Sequence, residues 1–386
     1  MIKPDYEEVS LYSEGLAAVQ KNGKYGYVNK SGKEVIPFIY DDAEAFKNNT
    51  AIVRKQDKAG LINRFGIELI PFIYNDLADP SENIYVAVLN EKSGYVSKSG
   101  KKITEFIFDF AGDFRDGYAI AGANEKYGLL NAAGAFIIEP QYEEVLFLSN
   151  GLLKSKQNDL WGIINVKGEV IVPFVYDAIG DFSSNRALVV NNKNCGFIDV
   201  KGKIVIPVTY PFQESLLSTA LFKNGYVLLK QKSKSILLDS TGSKVFFSGY
   251  DDTGIPSEGL VAVKKNKKWG FVDINGKLKI TCGFDEAGFF ENGFARIKSK
   301  KLAGAIDKSG NVIVPASFED LSIRNNYFQT KNHGKLGLIS LNGEVIIPPE
   351  YDRLEFLTDK IVSAHIHEKV LYVNTQSGKT IWKEME

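Results

Sequence analysis

Between Leu16 and Tyr40 the apolar positions come in short runs, LAAVQ, YGYVN and EVIPFIY, each closed by a polar or glycine-bearing step. No stretch of twelve residues keeps three- and four-residue apolar steps clear of glycine, proline or a β-branched cluster, so strands are favoured over helical repeats. The pattern predicts three strands, Leu16–Gln20, Tyr25–Asn29 and Glu34–Tyr40, with turns at Asn22-Gly23 and Asn29–Gly32. Asp41–Lys47 is expected to be a short connection of one helical turn.

The same pattern returns along the whole chain. Gly32 has equivalents at Gly66, Gly100, Gly134, Gly168, Gly202, Gly242, Gly276, Gly310, Gly343 and Gly378. The spacing is 34 residues, apart from 40 before Gly242 and 33 and 35 near the end. Three residues before each stands Asn, Asp or Ser, until Thr375 with Asn374 beside it. A short polar side chain followed by Gly at the fourth place is a type I turn signature. A second position, Gly15, Asn49, Asn83, Gly117 and onward to Asn326, admits only the two residues that best tolerate positive φ. A third is aromatic throughout, from Tyr6, Tyr40 and Tyr74 to Tyr351, and is expected to form a core ladder. An acid usually follows it, as at Asp41, Asp109, Glu143 and Asp285, and is expected to accept backbone N–H bonds near the connecting loop.

Gly26 recurs as Gly60, Gly94, Gly128, Gly162, Gly196, Gly270, Gly304 and Gly337. Glycine weakens a strand unless something must approach closely, so a backbone or a ring is expected over it. Ile236 takes its place in the seventh repeat, where that contact must be rearranged, and the final repeat near Leu371 also lacks the glycine. Pro37, Pro71, Pro173, Pro207, Pro315 and Pro348 place a bulge or edge in the third strand, which is expected to leave its own sheet there. Gly26, Gly32 and Lys33 superficially suggest a phosphate loop. That loop needs four residues between its glycines and a helix after it; five intervene here and a strand follows.

"LWGIINVKGEVIVPFVYD" (160–177) and "KKWGFVDINGKLKI" (267–280) resemble the bacterial WG, or KWG, repeats, and the likeness extends over 1–386. Trp precedes the strand glycine only at Trp161 and Trp269; Tyr25, Ala59, Ser93, Tyr127, Cys195, Ala303 and Leu336 stand there otherwise. The resemblance implies β-repeat architecture and a bacterial origin, and brings no catalytic residues with it. The expected fold is all-β: about eleven 34-residue β-hairpin repeats stacked as an open solenoid or superhelix, with one or two β-propellers as the alternative. The array is expected to run over 1–386 as one domain, with a possible seam at 211–224, where six extra residues divide six repeats from five.

Composition narrows the function. Lys plus Arg and Asp plus Glu are 47 each, which argues against nucleic-acid binding and polybasic membrane docking. No apolar run is long enough to span a bilayer, and the N-terminus has no leader-like core. As the sequence stands the expected location is cytoplasmic, with export the alternative if a signal peptide has been removed. Cys195 and Cys282 occupy different repeat positions and are expected to be small buried hydrophobes, not a pair. His365 and His367 would share a strand face and could chelate a metal, against the plainer reading of a polar face; His333 is expected in a solvated turn. No cofactor and no catalytic constellation is expected. The candidate recognition residues are Tyr25, Tyr127, Trp161 and Trp269. The expected function is a non-enzymatic scaffold for a protein or peptide, with carbohydrate or cell-envelope binding through the aromatics as the alternative.

Overall fold

The computed structural model describes residues 6–231, 234–367 and 369–383. Its elements are strands, apart from one helical turn at Leu216–Thr219. Eleven small antiparallel sheets follow one another, nine of four strands and two of three among the described residues. Two compact units divide them, Met1–Ile179 and Gly180–Glu386, and the long connection 211–224 lies within the second. The chain is therefore all-β and built of tandem repeats, as the glycine period predicts.

The first sheet shows the plan: Glu8–Val9, Leu16–Lys21, Lys24–Asn29 and Glu34–Tyr40, in that spatial order. The two inner strands form a hairpin through Asn22-Gly23, with φ of 53° and 71°. Positive φ at both residues defines a type I′ turn, whose twist matches the strands. Glu14-Gly15 is a second such turn, with φ of 51° and 84°. At the third turn the Asn29 Oδ1 accepts the N–H groups of Ser31 at 3.0 Å and Lys33 at 3.1 Å, and Gly32 has φ 77°. In the last repeat Asn374, not Thr375, takes this role, accepting from Gln376 and Ser377 at 3.0 Å each.

The third strand bulges over the strand glycine. Tyr25 pairs with Tyr40 and Tyr27 with Ile36, so two residues of one strand face four of the other. A Cβ on Gly26 would stand 2.7 Å from the Ile36 carbonyl oxygen, and one on Gly60 2.7 Å from the Phe72 ring. Backbone and ring both cover the glycine, as expected, and Pro37 lies in the bulge. The expected departure from the sheet is corrected: the strand steps away only at the bulge and pairs again at Tyr40. The expected helical turn at Asp41–Lys47 is corrected as well. Asp42–Ala43 is an edge strand that pairs with Val53 and Arg54 of the next repeat. The acidic, two-residue edge offers little ladder to a foreign strand.

The core lies between consecutive sheets. One cluster joins Leu16, Ala18, Tyr27, Ile36, Tyr40 and Phe46 to Ala51, Val53 and Ile62 of the next repeat. Another joins Leu260, Phe271 and Ile280 to Phe290, Ala295, Ile297 and Ile306. A single sheet has no such second face, so each repeat depends on its neighbour. In the first unit the aromatic position alternates with a phenylalanine of the following repeat: Tyr40 with Phe72 at 6.0 Å, Tyr74 with Phe106 at 5.4 Å, Tyr142 with Phe174 at 5.6 Å between centroids. Those tyrosines are buried. In the second unit Cys282, Ala316 and Pro349 replace the phenylalanine, and Tyr250, Phe284 and Phe318 are only half-buried. The ladder is thus a two-residue device, complete only where both rings are present.

The acid after the aromatic clasps two repeats. Asp41 pairs with the Lys24 ammonium of its own sheet and accepts the Gln56 N–H, in the next repeat's hairpin turn, at 2.5 Å. Asp109 does the same with Lys92 and the Asn124 N–H at 2.8 Å, and Asp285 with Lys268 and the Lys300 N–H at 2.6 Å. The backbone bond was expected; its position in the neighbouring repeat was not. The lysine and then the N–H hold the Asp41, Asp109 and Asp285 carboxyls below their usual range. Depressed folded pKa values stabilise the fold above the unfolded value, about 4 for aspartate, and that contribution disappears as pH falls through the folded value. The melting midpoint is expected to be flat between about pH 7 and 5 and to fall below about pH 4. A triple Asp→Asn variant at 41, 109 and 285 should melt lower at neutral pH and lose part of that acid slope. An unchanged slope by circular dichroism would remove the clasp from the account.

Candidate functional site

The seventh repeat departs from the plan at Ile236. Its strands are Tyr226–Gln231, Lys234–Asp239 and the stub Lys244–Val245. In nine repeats the strand glycine lets the following segment come into close contact, and Leu371 stands at that position in the last repeat; here an isoleucine Cβ and its branches occupy the space. Leu237 pairs with Val245 and Leu238 with Lys244, without the one-residue skip seen at Tyr27–Ile36 and Val28–Glu34. A one-residue slip turns a strand's faces over. Phe246, at the place of buried Ile36, is accordingly 79% exposed, and Phe247, at the place of Pro37, is 7% exposed and enters the core. Tyr250 stands eight residues after Gly242, as Tyr40 does after Gly32. The segment after Gly242 is therefore as long as its equivalents, and it pairs only at Lys244 and Val245. The rearrangement expected from sequence is this opening.

A cavity of about 330 Å³ lies beside this stub, lined by Ile236, Leu237, Val245, Phe246, Phe247 and Tyr250 on its apolar side. Ser235, Lys244, Asp251, Asp252 and Thr253 supply the polar side. The Ser235 N–H, whose equivalent Ser93 N–H donates to the Phe108 carbonyl at 2.8 Å, donates here to Asp252 Oδ1 at 3.0 Å. Asp251 Oδ2 accepts the Asn266 N–H at 3.0 Å. A second cavity of about 320 Å³ shares Ser235, Asp252 and Thr253 and reaches Trp269 and Phe289. A third, of about 570 Å³, shares Phe289 and continues to Lys223 and Glu258. The Lys223 ammonium stands 3.6 Å from the Phe289 ring centroid, a cation–π contact. No imidazole lines any of the three.

Of the four aromatics singled out by sequence, Trp269 borders one of these cavities, with the Lys264 ammonium 5.6 Å from its ring centroid. Tyr25, Tyr127 and Trp161 lie on three sheets of the first unit, half-buried. Each of the four is paired across the strands with its own sheet's aromatic position, Tyr40, Tyr142, Tyr176 or Phe284. Tyr127 also packs edge-on against Phe110 at 5.8 Å, and Tyr25 donates to the Glu8 carboxylate. The structure does not assemble the four into one site. His367 is not on the strand face expected for it: it has φ 53° in a hairpin turn and donates its N–H to Asp352 at 3.0 Å. His365 Nε2 lies 3.2 Å from Ser363 Oγ. Among the described residues no three His, Cys, Asp or Glu side chains gather as metal ligands would. Cys195 is buried, which pushes its thiol up to about 11, and Cys282 is half-buried in another repeat.

Sequence reasoning missed a second surface. In the first unit an aliphatic residue is exposed one place before the aromatic: Ile39, Ile73 and Val175 on third strands, and Ile107 in the repeat whose third segment makes only isolated bridges, each between 42% and 57% exposed. Gln141 interrupts the series, and Thr209, Gly249, Gly283, Ser317 and Glu350 end it in the second unit. The signal was available as a repeat position that is aliphatic in one half of the chain only.

The WG containing repeat model matches ten segments: 1–25, 25–58, 60–92, 94–127, 127–161, 161–195, 239–269, 269–302, 304–335 and 337–361. The chain belongs to the WG repeat family. The matches pass over 196–238, which holds the long connection and the repeat with Ile236. No curated protein matches the sequence. Among solved structures the chain is similar to a eukaryotic initiation factor, 13% identical with a TM-score of 0.37, covering 88% of this chain and 96% of that one. It is similar also to BamB from Moraxella catarrhalis, 12% identical, TM-score 0.26, covering 87% and 94%. An extracellular domain from B. thetaiotaomicron is 7% identical, TM-score 0.22, covering 98% and 70%. Likenesses at this level carry no functional argument. Among the described residues no helix is long and apolar enough to cross a membrane.

Proposed function

We propose that this WG repeat array is a non-enzymatic scaffold that holds a protein or peptide partner along an extended surface. The observation that carries the reading is the aliphatic series Ile39, Ile73, Ile107 and Val175, repeated at one position and left in solvent. Scattered apolar residues need no explanation, but four of the first five repeats carrying one at the same place is a patterned apolar surface. The half-buried, partnered state of Tyr25, Tyr127 and Trp161 favours this over sugar stacking, which needs an open ring face. The intact chain should enrich binders from a random peptide library and bind no member of a glycan array. Ile73→Asp with Ile107→Asp, on exposed positions, should weaken the selected binders about tenfold while leaving the melting midpoint in place. Glycan binding without peptide binding would overturn the reading in favour of a carbohydrate module.

A further inference from the structure

We infer that the first unit's aliphatic series docks on a second copy of this chain, against another aliphatic series carried by that copy's second unit. The inference rests on the scaffold reading, since it takes Ile39, Ile73 and Ile107 as a binding surface, and it names the partner.

The second series stands two residues after the turn glycine, where the third strand begins. Ile204, Leu278, Val312 and Val345 hold that place in the second unit, each between 49% and 63% exposed. Lys244 interrupts the series and Thr380 ends it. The first three repeats carry Glu34, Glu68 and Lys102 there instead, and the fifth carries Val170 as well as Val175. The first series stands at the other end of the same segment, seven residues after the turn glycine, where the second unit has Thr209, Gly249, Gly283, Ser317 and Glu350. Each unit is therefore polar or bare where the other is apolar.

Three features select a second copy over an unrelated partner. Both series recur at the 34-residue period, with one step of 33 between Val312 and Val345, on sheets of one design. A partner with the same period meets several members at once. Laid antiparallel, segment on segment, the first unit's isoleucines fall on Leu278 and Val312, while Glu34 and Glu68 fall on Gly283 and Ser317, which bring no charge. Two first units laid antiparallel would instead set Glu34 and Glu68 on isoleucines, and burying an unpaired carboxylate is costly. Finally, Lys plus Arg and Asp plus Glu are 47 each, so no net repulsion keeps two copies apart.

The test is sedimentation velocity of the intact chain over a dilution series. Wild type is expected to associate beyond the monomer as concentration rises. Ile73→Asp with Ile107→Asp, and separately Leu278→Asp with Val312→Asp, should each raise the dissociation constant at least tenfold. All four positions are exposed, so melting midpoints should stay in place. Should they fall, the same pairs changed to Thr, which keeps the strand preference, give the same readout. The decisive sample mixes the two Asp variants, one of them labelled with fluorescein. Each keeps the face the other has lost, so the mixture should regain a complex that neither forms alone. A wild type that stays monomeric, either variant associating as the wild type does, or a mixture that stays monomeric would overturn the inference. A monomeric wild type that still holds selected peptides through Ile73 and Ile107 would remove the second copy and leave the scaffold standing.

Discussion

Gly128→Ala is expected to cost about 3 kcal/mol, the upper end of ordinary overpacking, for the addition of one methyl group. Its Cβ would lie 2.3 Å from the Ile138 carbonyl oxygen and 2.8 Å from the Pro140 nitrogen. Both are backbone atoms of the bulged third strand and cannot rotate away. Relief requires the strand to lift, which breaks the pairing of Tyr127 with Tyr142 and exposes the ring that stacks on Phe174. Gly23→Ala is the control: φ is 71° and nothing lies within 4 Å of its Cβ, so only the left-handed strain of about 1 kcal/mol applies. Urea unfolding midpoints compare the two. Equal losses would mean that conformational freedom, and not close approach, explains the strand glycine.

Tyr27→Ala should be costlier still, about 3–5 kcal/mol. The ring is fully buried, meets Phe46 edge-on at 4.7 Å, and donates its hydroxyl to the Glu44 carbonyl at 2.6 Å. It therefore joins the first sheet to the connection that starts the second. Burial also drives the phenol far above its ordinary pKa, so it stays a donor throughout the accessible pH range. Tyr27→Phe keeps the ring and loses only the hydrogen bond, about 1 kcal/mol. Because each repeat leans on its neighbours, the damage should be confined to the first repeats: hydrogen exchange should rise there and stay slow at Phe328 and Val362, buried far along the second unit. A loss below about 1 kcal/mol for Tyr27→Ala would refute the packing described.

The parts legible in the sequence are those where backbone geometry restricts residue identity. Gly32 and Gly15 need positive φ, Asn29 must reach back to Ser31 and Lys33, and Gly26 must be bare; few residues satisfy each, so the positions recur visibly. Ile236 was legible for the same reason, as a residue that breaks such a restriction; Leu371 breaks it in the last repeat. What escaped notice depends on partners in another repeat. Asp42–Ala43 is too short to show alternation, and its ladder partners, Arg54 and Val53, come twelve and ten residues later. The junction of Tyr27 with Phe46 is satisfied elsewhere by Leu61 or Leu129, any bulky apolar residue, and leaves no motif. One of the two positive-φ residues of a hairpin turn, Glu14 before Gly15 or Lys267 after Asn266, is not one whose type announces it. The candidate aromatics were conspicuous by type, but their strand position gave no sign of how far each ring is covered.

Because the strand that opens each sheet is contributed by the preceding copy of the motif, the unit visible in the sequence and the unit that folds are offset. Asp42–Ala43 follows the first copy's Tyr40 by two residues yet belongs to the second sheet. A fragment cut at the motif boundary would leave one sheet missing its border and another carrying a spare one. Growth or shrinkage of such a chain is consequently constrained to whole multiples of the period, cut at the same phase at both ends, and any engineered length variant should respect that phase.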